Sequence, residues 1–386
     1  MSRSDASSRR VRVGVIFGGR SGEHDVSLRS AVTVSAALEQ AGYAIVPIGI
    51  TRNGGWLTDG DPMRQLQIGS PLFQALPEGG IADGQAVTNE VDRLSLSALQ
   101  SSAPTAIPGD DWAGSIDVVF PVLHGPWGED GTVQGLFELA GIPYVGAGVM
   151  SSAVSMDKAV TKQLLAQAGI PQAAWLTVLR KEWQRFPDSM TDDIERELGY
   201  PCFVKPANLG SSVGITKVHD RSELAAAMTL AGGYDRRIIV EQGIDARELE
   251  VAVLGNDEPR ASVVGEIVPS NEFYDYDAKY VSDDSGLVIP ADIPAEISDA
   301  VRSIAMRAFR VLDCAGMARV DCFYERTTGR VLLNEVNTIP GFTSISMYPL
   351  LWEASGVPLA DLVQSLVELA IERHEERHGT PSAGEA

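Results

Sequence analysis

The residues able to do chemistry in this chain gather in a few short stretches. Arg319 and Asp321 stand two apart in Met-Ala-Arg-Val-Asp-Cys-Phe, and Glu335 and Asn337 two apart in Leu-Leu-Asn-Glu-Val-Asn-Thr. A spacing of two puts each pair on one face of a β-strand. If the two strands pair as a hairpin, Asp321, Glu335 and Asn337 converge as an all-oxygen site. Few protein oxygens suit Mg²⁺, which keeps waters and phosphate oxygens in its other positions. The competing reading is polar decoration of a solvated sheet face, an odd use for Glu-Val-Asn between apolar residues and Pro340-Gly341.

Other stretches carry complementary chemistry. Lys205 opens a run to Gly214 whose Gly and Ser density supplies backbone N–H groups and hydroxyls for phosphate oxygens, including Ser211 and Ser212. The spacing is not that of a Walker A loop, and a hairpin loop without ligand is the alternative. Gly18 to Gly22 precede a helical pattern, so that N-terminus can hold an anion while Glu23 grips an ammonium group. The Rossmann spacing G-x-G-x-x-G is absent there. His124, one of five histidines, follows a strand in His-Gly-Pro-Trp-Gly-Glu-Asp-Gly; it is a candidate site residue against a purely structural role. Asn271 to Tyr280 crowd three tyrosines, three carboxylates and Lys279 into one long loop, a pattern typical of lids.

The elements that must position these groups alternate in type. Apolar runs at 11–17, 43–50 and 116–123 read as strands, with a helix over 26–38 between the first two. This alternation predicts an open parallel sheet with ligands at the carboxyl ends of its strands. Residues 58–111, rich in Gly, Pro, Ser and Asp, read as an insertion carrying a small sheet or loop. After a boundary near 146–152 the pattern predicts helices over 155–168 and 192–198 and strands at 175–179, 202–205 and 237–242. Further on it predicts strands at 249–254, 262–268, 317–324 and 331–336, a helix over 294–312 and another from Leu359, with a disordered tail from about 380.

Composition narrows the function. The chain has 386 residues and a formal net charge of −21, with 52 Asp and Glu against 31 Lys and Arg. That balance argues against nucleic acid or an anionic membrane as the main partner. No apolar run approaches the roughly 18 residues of a membrane span, and the polar start lacks a signal-peptide pattern. Cys202, Cys314 and Cys322 form no CxxC pair and fit a reducing compartment. The expectation is a cytoplasmic protein of two or three domains.

Taken in order, GGRSGEHDVSL, HGPWGEDGTVQG, SMDK, VKPANLGSSVG, EFYDYDAKY, ARVDCF and NEVNTIPGFTSIS resemble the D-alanine–D-alanine ligases of the ATP-grasp superfamily. The resemblance runs from Val11 to about Glu372. It implies an α/β, three-domain ATP-grasp fold: a Rossmann-like substrate domain over 1–148, a central subdomain over 149–241 and a C-terminal subdomain over 242–386. It also implies ligation of two D-alanines through a D-alanyl phosphate, for peptidoglycan precursor synthesis.

By the same resemblance Lys158 and Lys205 contact ATP phosphates, with Ser211, Ser212 and Lys279 as further ATP contacts. Glu241 stands at the adenine hinge and Glu248 at the ribose. Asp321, Glu335 and Asn337 hold two Mg²⁺ (or Mn²⁺), and Arg319 with the Gly341 N–H forms an oxyanion hole. Glu23 takes the first ammonium, in a line with Ser211 and Tyr280. His124, Ser346 and Met347 complete the substrate pocket, Met347 replacing a common Leu of similar volume. The family also brings K⁺ as a candidate activator and a homodimer. Depsipeptide-forming relatives, which attach D-lactate, lack the tyrosine pattern ending in Lys279-Tyr280, so alanine is the expected acceptor. Rival readings are another ATP-grasp carboxylate–amine ligase, a non-catalytic nucleotide-binding module and a dehydrogenase.

Overall fold

The computed structural model describes residues 10–68, 115–210, 213–268 and 286–379. Ser211, Ser212, the 271–280 loop with Lys279 and Tyr280, most of the 58–111 insertion and the tail from 380 lie outside the described residues.

The N-terminal part comprises β1 (Arg12–Gly18), α1 (His24–Gln40), β2 (Ala44–Ile50), β3 (Trp56–Leu57), α2 (Pro62–Gln67), β4 (Val118–Val122) and α3 (Thr132–Ala140). Its sheet runs β3-β2-β1-β4, with β2, β1 and β4 parallel and β3 an antiparallel edge. After Arg12, β1 is apolar because both faces are covered. Val13, Val15 and Phe17 pack with Leu28 and Val34 of α1, whereas Ile16 packs in the cluster with Phe137 of α3. Residues 62–67, read from sequence as loop or small sheet, instead form a helix. Asp61 caps it by accepting from the Arg64 N–H at 3.0 Å, and Leu66 is buried.

Next come α4 (Val149–Met156), α5 (Lys158–Gln167), β5 (Trp175–Leu179), α6 (Arg180–Arg185), α7 (Pro187–Glu197), β6 (Cys202–Pro206), β7 (Thr216–Val218), α8 (Arg221–Tyr234) and β8 (Arg237–Gln242). The four strands form an antiparallel sheet in the order β5-β8-β6-β7. Cys202, Val204, Ile238 and Val240 face Leu224, Met228 and Ala231 of α8, so the alternate residues Phe203, Lys205 and Glu241 face the other way. The single helix expected over 155–168 is broken at Asp157. Its carboxylate accepts from the N–H groups of Ala159 and Val160, both at 3.1 Å, which starts α5 afresh.

The C-terminal part holds β9 (Ala246–Gly255), β10 (Arg260–Val268), β11 (Gly286–Val288), α9 (Ala295–Val311), β12 (Gly316–Glu325), β13 (Val331–Asn337), α10 (Met347–Ala354) and α11 (Leu359–Gly379). Its sheet is antiparallel in the order β11-β10-β9-β12-β13. Leu249, Val251, Val253, Val320 and Leu333 bury one face against Val301 and Phe309 of α9. On the other face Ala252, Leu254 and Met317 lie under Tyr348 of α10 and Leu362 of α11, in the cluster that also includes β1 and α1. The polar residues of that second face are left for the cleft. Among the described residues no single helix is long and apolar enough to cross a membrane.

Candidate active site

The hairpin expected from residue spacing is present. β12 and β13 pair antiparallel with Arg319 opposite Asn337 and Asp321 opposite Glu335. These four side chains therefore share one face. The register then shifts: Cys322 pairs with Leu333, leaving Asn334 as an extra residue. This bulge settles a conflict of parity. Val331 and Leu333 belong to the α9 core, yet Glu335 and Asn337 have the same odd spacing. The extra residue turns the strand over, so the apolar pair faces the core and the polar pair the cleft.

Within this face Arg319 is the centre. Its Nε and a terminal nitrogen donate to the two oxygens of Asp321, both at 2.7 Å. Nε also lies 2.9 Å from Glu250 Oε2 on β9. Burial alone would lower the Arg319 pKa, but Asp321 and Glu250 outweigh it and hold the guanidinium firmly charged. Asn337 Nδ2 donates to Asp321 Oδ2 at 3.1 Å. Among the described residues no three His, Cys, Asp or Glu side chains form a closed metal-binding group. Two carboxylates and an amide on one sheet face instead fit an open oxygen site for Mg²⁺ or Mn²⁺, completed by phosphate and water.

The facing sheet contributes cations. Lys205 Nζ pairs with Glu241 Oε2 at 2.9 Å, and Lys162 Nζ with Glu241 Oε1 at 3.6 Å. Lys158 donates from Nζ to Leu209 O at 2.7 Å. Lys162 and Glu241 are almost fully buried, with side chains 3% and 4% exposed. Burial would raise the Glu241 pKa, yet Lys162 and Lys205 carry it below the ordinary carboxylate value. Burial lowers the Lys162 ammonium, against the pull of Glu241. After Glu241 the chain turns away. Gly243 donates to Pro201 O at 2.8 Å, and a Cβ there would lie 2.6 Å from that oxygen, so only glycine fits.

Loops from the N-terminal sheet close one end. Gly18 and Gly19 turn with φ of 91° and 98°, and a Cβ on Gly18 would meet Ile50 O at 2.2 Å. The turn delivers buried Glu23 to the start of α1. Its Oε2 lies where methyl groups on Gly125 and Gly210 would touch it, at 3.3 and 3.8 Å. Glu23 thus sits between the neighbours of His124 and Ser211. His124 Nδ1 meets Ile339 O at 3.2 Å, and its buried Nε2 has no hydrogen-bond partner among the described residues. Burial lowers the His124 pKa, so Nδ1 is the donor of a neutral ring and Nε2 an acceptor. Ser346 Oγ accepts from the Thr343 N–H at 2.9 Å, and Phe342 N–H donates to Ser30 Oγ at 3.2 Å, tying the Gly341 loop to α1.

These parts line one cleft in two adjoining lobes that share Lys158, Lys205, Glu241, Glu250 and Glu335. One lobe adds Glu23, His124, Arg319, Asn337, Gly341, Ser346 and Met347; the other adds Glu248 and Asp321. Every described candidate from sequence therefore lies on this cleft, although the Met347 side chain is mostly buried in the core and touches Gly265. Three further residues escaped notice: Lys162, Glu250 and Glu129. Lys162 lies one helical turn beyond Lys158, and Glu250 two residues beyond Glu248, spacings that put each on its neighbour's face. Glu129 accepts from the Gly125 N–H at 2.6 Å, and burial and then Glu23 push its pKa up to about 8.

Comparison with known proteins agrees with this arrangement. The family model described as D-ala D-ala ligase N-terminus matches residues 12–147, and that described as D-ala D-ala ligase C-terminus matches 164–368. A D-alanine--D-alanine ligase from Heliobacterium modesticaldum is 50% identical, covering 95% of this chain and 96% of its own. One from Geobacillus kaustophilus is 48% identical over 95% and 96%. The structure of the D-alanine-D-alanine ligase from Coxiella burnetii has a TM-score of 0.76 and 37% identity, covering 96% of both chains. The VanG D-Ala:D-Ser ligase from Enterococcus faecalis also has a TM-score of 0.76, at 36% identity over 94% of this chain and all of that one. With family models matching 12–147 and 164–368 and relatives covering about 95% of its length, the chain belongs to the D-alanine–D-alanine ligase family of ATP-grasp enzymes.

Proposed function

We propose that this chain joins two D-alanines at the expense of ATP, through a D-alanyl phosphate, in the cytoplasm and as a homodimer. One observation carries the chemistry: an oxygen-rich face holding Arg319 looks across a cleft at a lysine-bearing face, with Glu23 and His124 at one end. The reaction brings two anions together, a carboxylate and a triphosphate, so fixed positive charge must offset their repulsion.

The carboxylate oxygen of the first D-alanine bonds to the γ-phosphorus as the bond to ADP breaks. Lys158 and Lys205 bind and orient the phosphates, and Glu248 takes the ribose. The Glu241 carboxylate holds Lys205, which leaves adenine recognition to the backbone beyond it. Asp321, Glu335 and Asn337 would hold two Mg²⁺ (or Mn²⁺) ions, which supply charge neutralisation on the transferring phosphoryl group. Glu23 orients the first ammonium. The free amine of the second D-alanine then attacks the acyl carbon, phosphate leaves, and one proton is released. Arg319 and the Gly341 N–H hold the developing oxyanion, with Ser346 on the second carboxylate; one such donor is typically worth about 2.7–4 kcal/mol of barrier. The break between the two family matches, at 147 and 164, supports a first unit over 1–148, and the change of sheet after Gln242 supports the further division into 149–241 and 242–386.

Phosphate release with ATP and Mg²⁺ tests the reading, run in parallel with D-alanine, L-alanine, D-serine and D-lactate as acceptors. D-Alanine alone should give both phosphate and dipeptide, and Glu335→Ala should abolish them. Turnover only with D-serine, D-lactate or L-amino acids would replace the assignment. The D-serine arm is included because a D-Ala:D-Ser ligase shares the fold at equal TM-score.

A further inference from the structure

With Asp321 and Glu335 assigned to metal and Glu248 to the ribose, the cleft-facing sheet carries one further carboxylate, Glu250. Glu250 on β9 pairs in register with Asp321 on β12, which pairs with Glu335 on β13, so three carboxylates cross three neighbouring strands in a row. Glu250 is buried between the core residues Leu249 and Val251. An anion there carries a large desolvation cost unless a cation compensates it. That cation is Arg319, whose Nε lies 2.9 Å from Glu250 Oε2.

Arg319 already has a bidentate partner, however. Both oxygens of Asp321 accept from it at 2.7 Å, and Asn337 adds a third hydrogen bond at 3.1 Å. A carboxylate engaged in this way is a poor divalent ligand unless the guanidinium has a second counter-charge to fall back on. A cation arriving at Asp321 would draw its electron pairs away from Arg319 and repel the guanidinium. Arg319 would then be left buried with less compensation, at the position where an oxyanion has to form.

Building on the metal assignment proposed above, we infer that Glu250 is a positioning residue that holds Arg319 over the cleft when Asp321 passes to the divalent ion. The two carboxylates divide the work. Asp321 orients the guanidinium before the ion binds, and Glu250 retains it afterwards. Glu250 needs no contact with either substrate to act.

Glu250→Gln keeps the shape and removes the charge. Mn²⁺ binding to the enzyme–ADP complex, followed by electron paramagnetic resonance without turnover, should weaken about tenfold, within the range of other outer-shell partners. The kcat should fall by about 10- to 100-fold. The KM for ATP should stay within about threefold, because the role assigned to Glu250 is to hold Arg319 and not to bind phosphate or base. Glu250→Asp, which keeps the charge, should restore most of the Mn²⁺ affinity and so separates this role from simple packing. Asp321→Asn serves as the reference. If it loses Mn²⁺ while Glu250→Gln keeps wild-type affinity and kcat, the Glu250 role is wrong and the metal assignment stands. If Asp321→Asn binds Mn²⁺ normally, both fall.

Discussion

Glu129 shows how far one carboxyl is shaped by its surroundings. Its neighbours were legible as part of a Gly-rich loop, but nothing in Gly-Glu-Asp-Gly says which acid turns inward. Burial and the nearby Glu23 push Glu129 up to about 8, against roughly 4.3 for a free glutamic acid. The sign follows from proton counting. Between those two values the folded chain binds more protons than the unfolded one, so stability falls as pH rises through that window. Glu129→Gln retains an oxygen for the Gly125 N–H and cannot ionise. Its melting temperature relative to wild type should therefore climb between about pH 5 and 8. Parallel melting curves over that range would refute the assignment. Lys162 teaches a related lesson. Four residues beyond Lys158, it could have been marked from helical spacing, but its burial against Glu241 is a tertiary fact.

At the scale of elements, strands were legible and breaks were not. Buried strands announce themselves as continuous apolar runs, and most were placed within a few residues of their observed ends. The division of α4 from α5 was missed because the same apolar period continues across Asp157. Asp157 caps α5 and also pairs with Arg237, so the junction fixes where Lys158 emerges. Replacing it by Ala should cost about 1–2 kcal/mol from the cap alone and raise the KM for ATP through a displaced Lys158. Asp157→Asn keeps the cap geometry and should recover most of the stability. Chemical denaturation with parallel kinetics would check both, and an unchanged KM in Asp157→Ala would detach Lys158 from this junction. The bulge at Asn334 was equally hidden: a count of two along Leu-Leu-Asn-Glu-Val-Asn brings Glu335 and Asn337 together, but not with the right face of β12.

Across the whole molecule, the last helix locks the ends of the fold together. Arg373 of α11 donates to Gly146 O and to Tyr144 O, the latter at 3.0 Å, and stacks 4.4 Å over the Tyr144 ring. Nearby, exposed Arg377 pairs with Glu138 at 2.6 Å. The segment so held passes close to Gly316, the first residue of the strand that carries Arg319 and Asp321. Arg373→Ala should destabilise by about 2–3 kcal/mol, since charged hydrogen bonds to half-buried carbonyls are lost. Arg377→Ala should cost less than about 1 kcal/mol, as exposed pairs do. Urea midpoints for the two variants should reproduce that order; equal shifts would remove Arg373 from this role.

By itself the sequence determined most of the buried strands and the polar pairs of the cleft, because strand alternation and helical spacing are local properties of the chain, and its ordered motifs carried the resemblance to the family. Pairs such as Arg319 with Asp321, or Glu335 with Asn337, share a face whatever the rest does. Only the tertiary structure decided what meets across strands. Glu250 beside Arg319, Glu241 between Lys162 and Lys205, and Glu23 between the loops of His124 and Gly210 join residues from separate elements. Those meetings depend on sheet register, a one-residue bulge and a helix break, and a shift of one residue in a strand reverses every side chain on it.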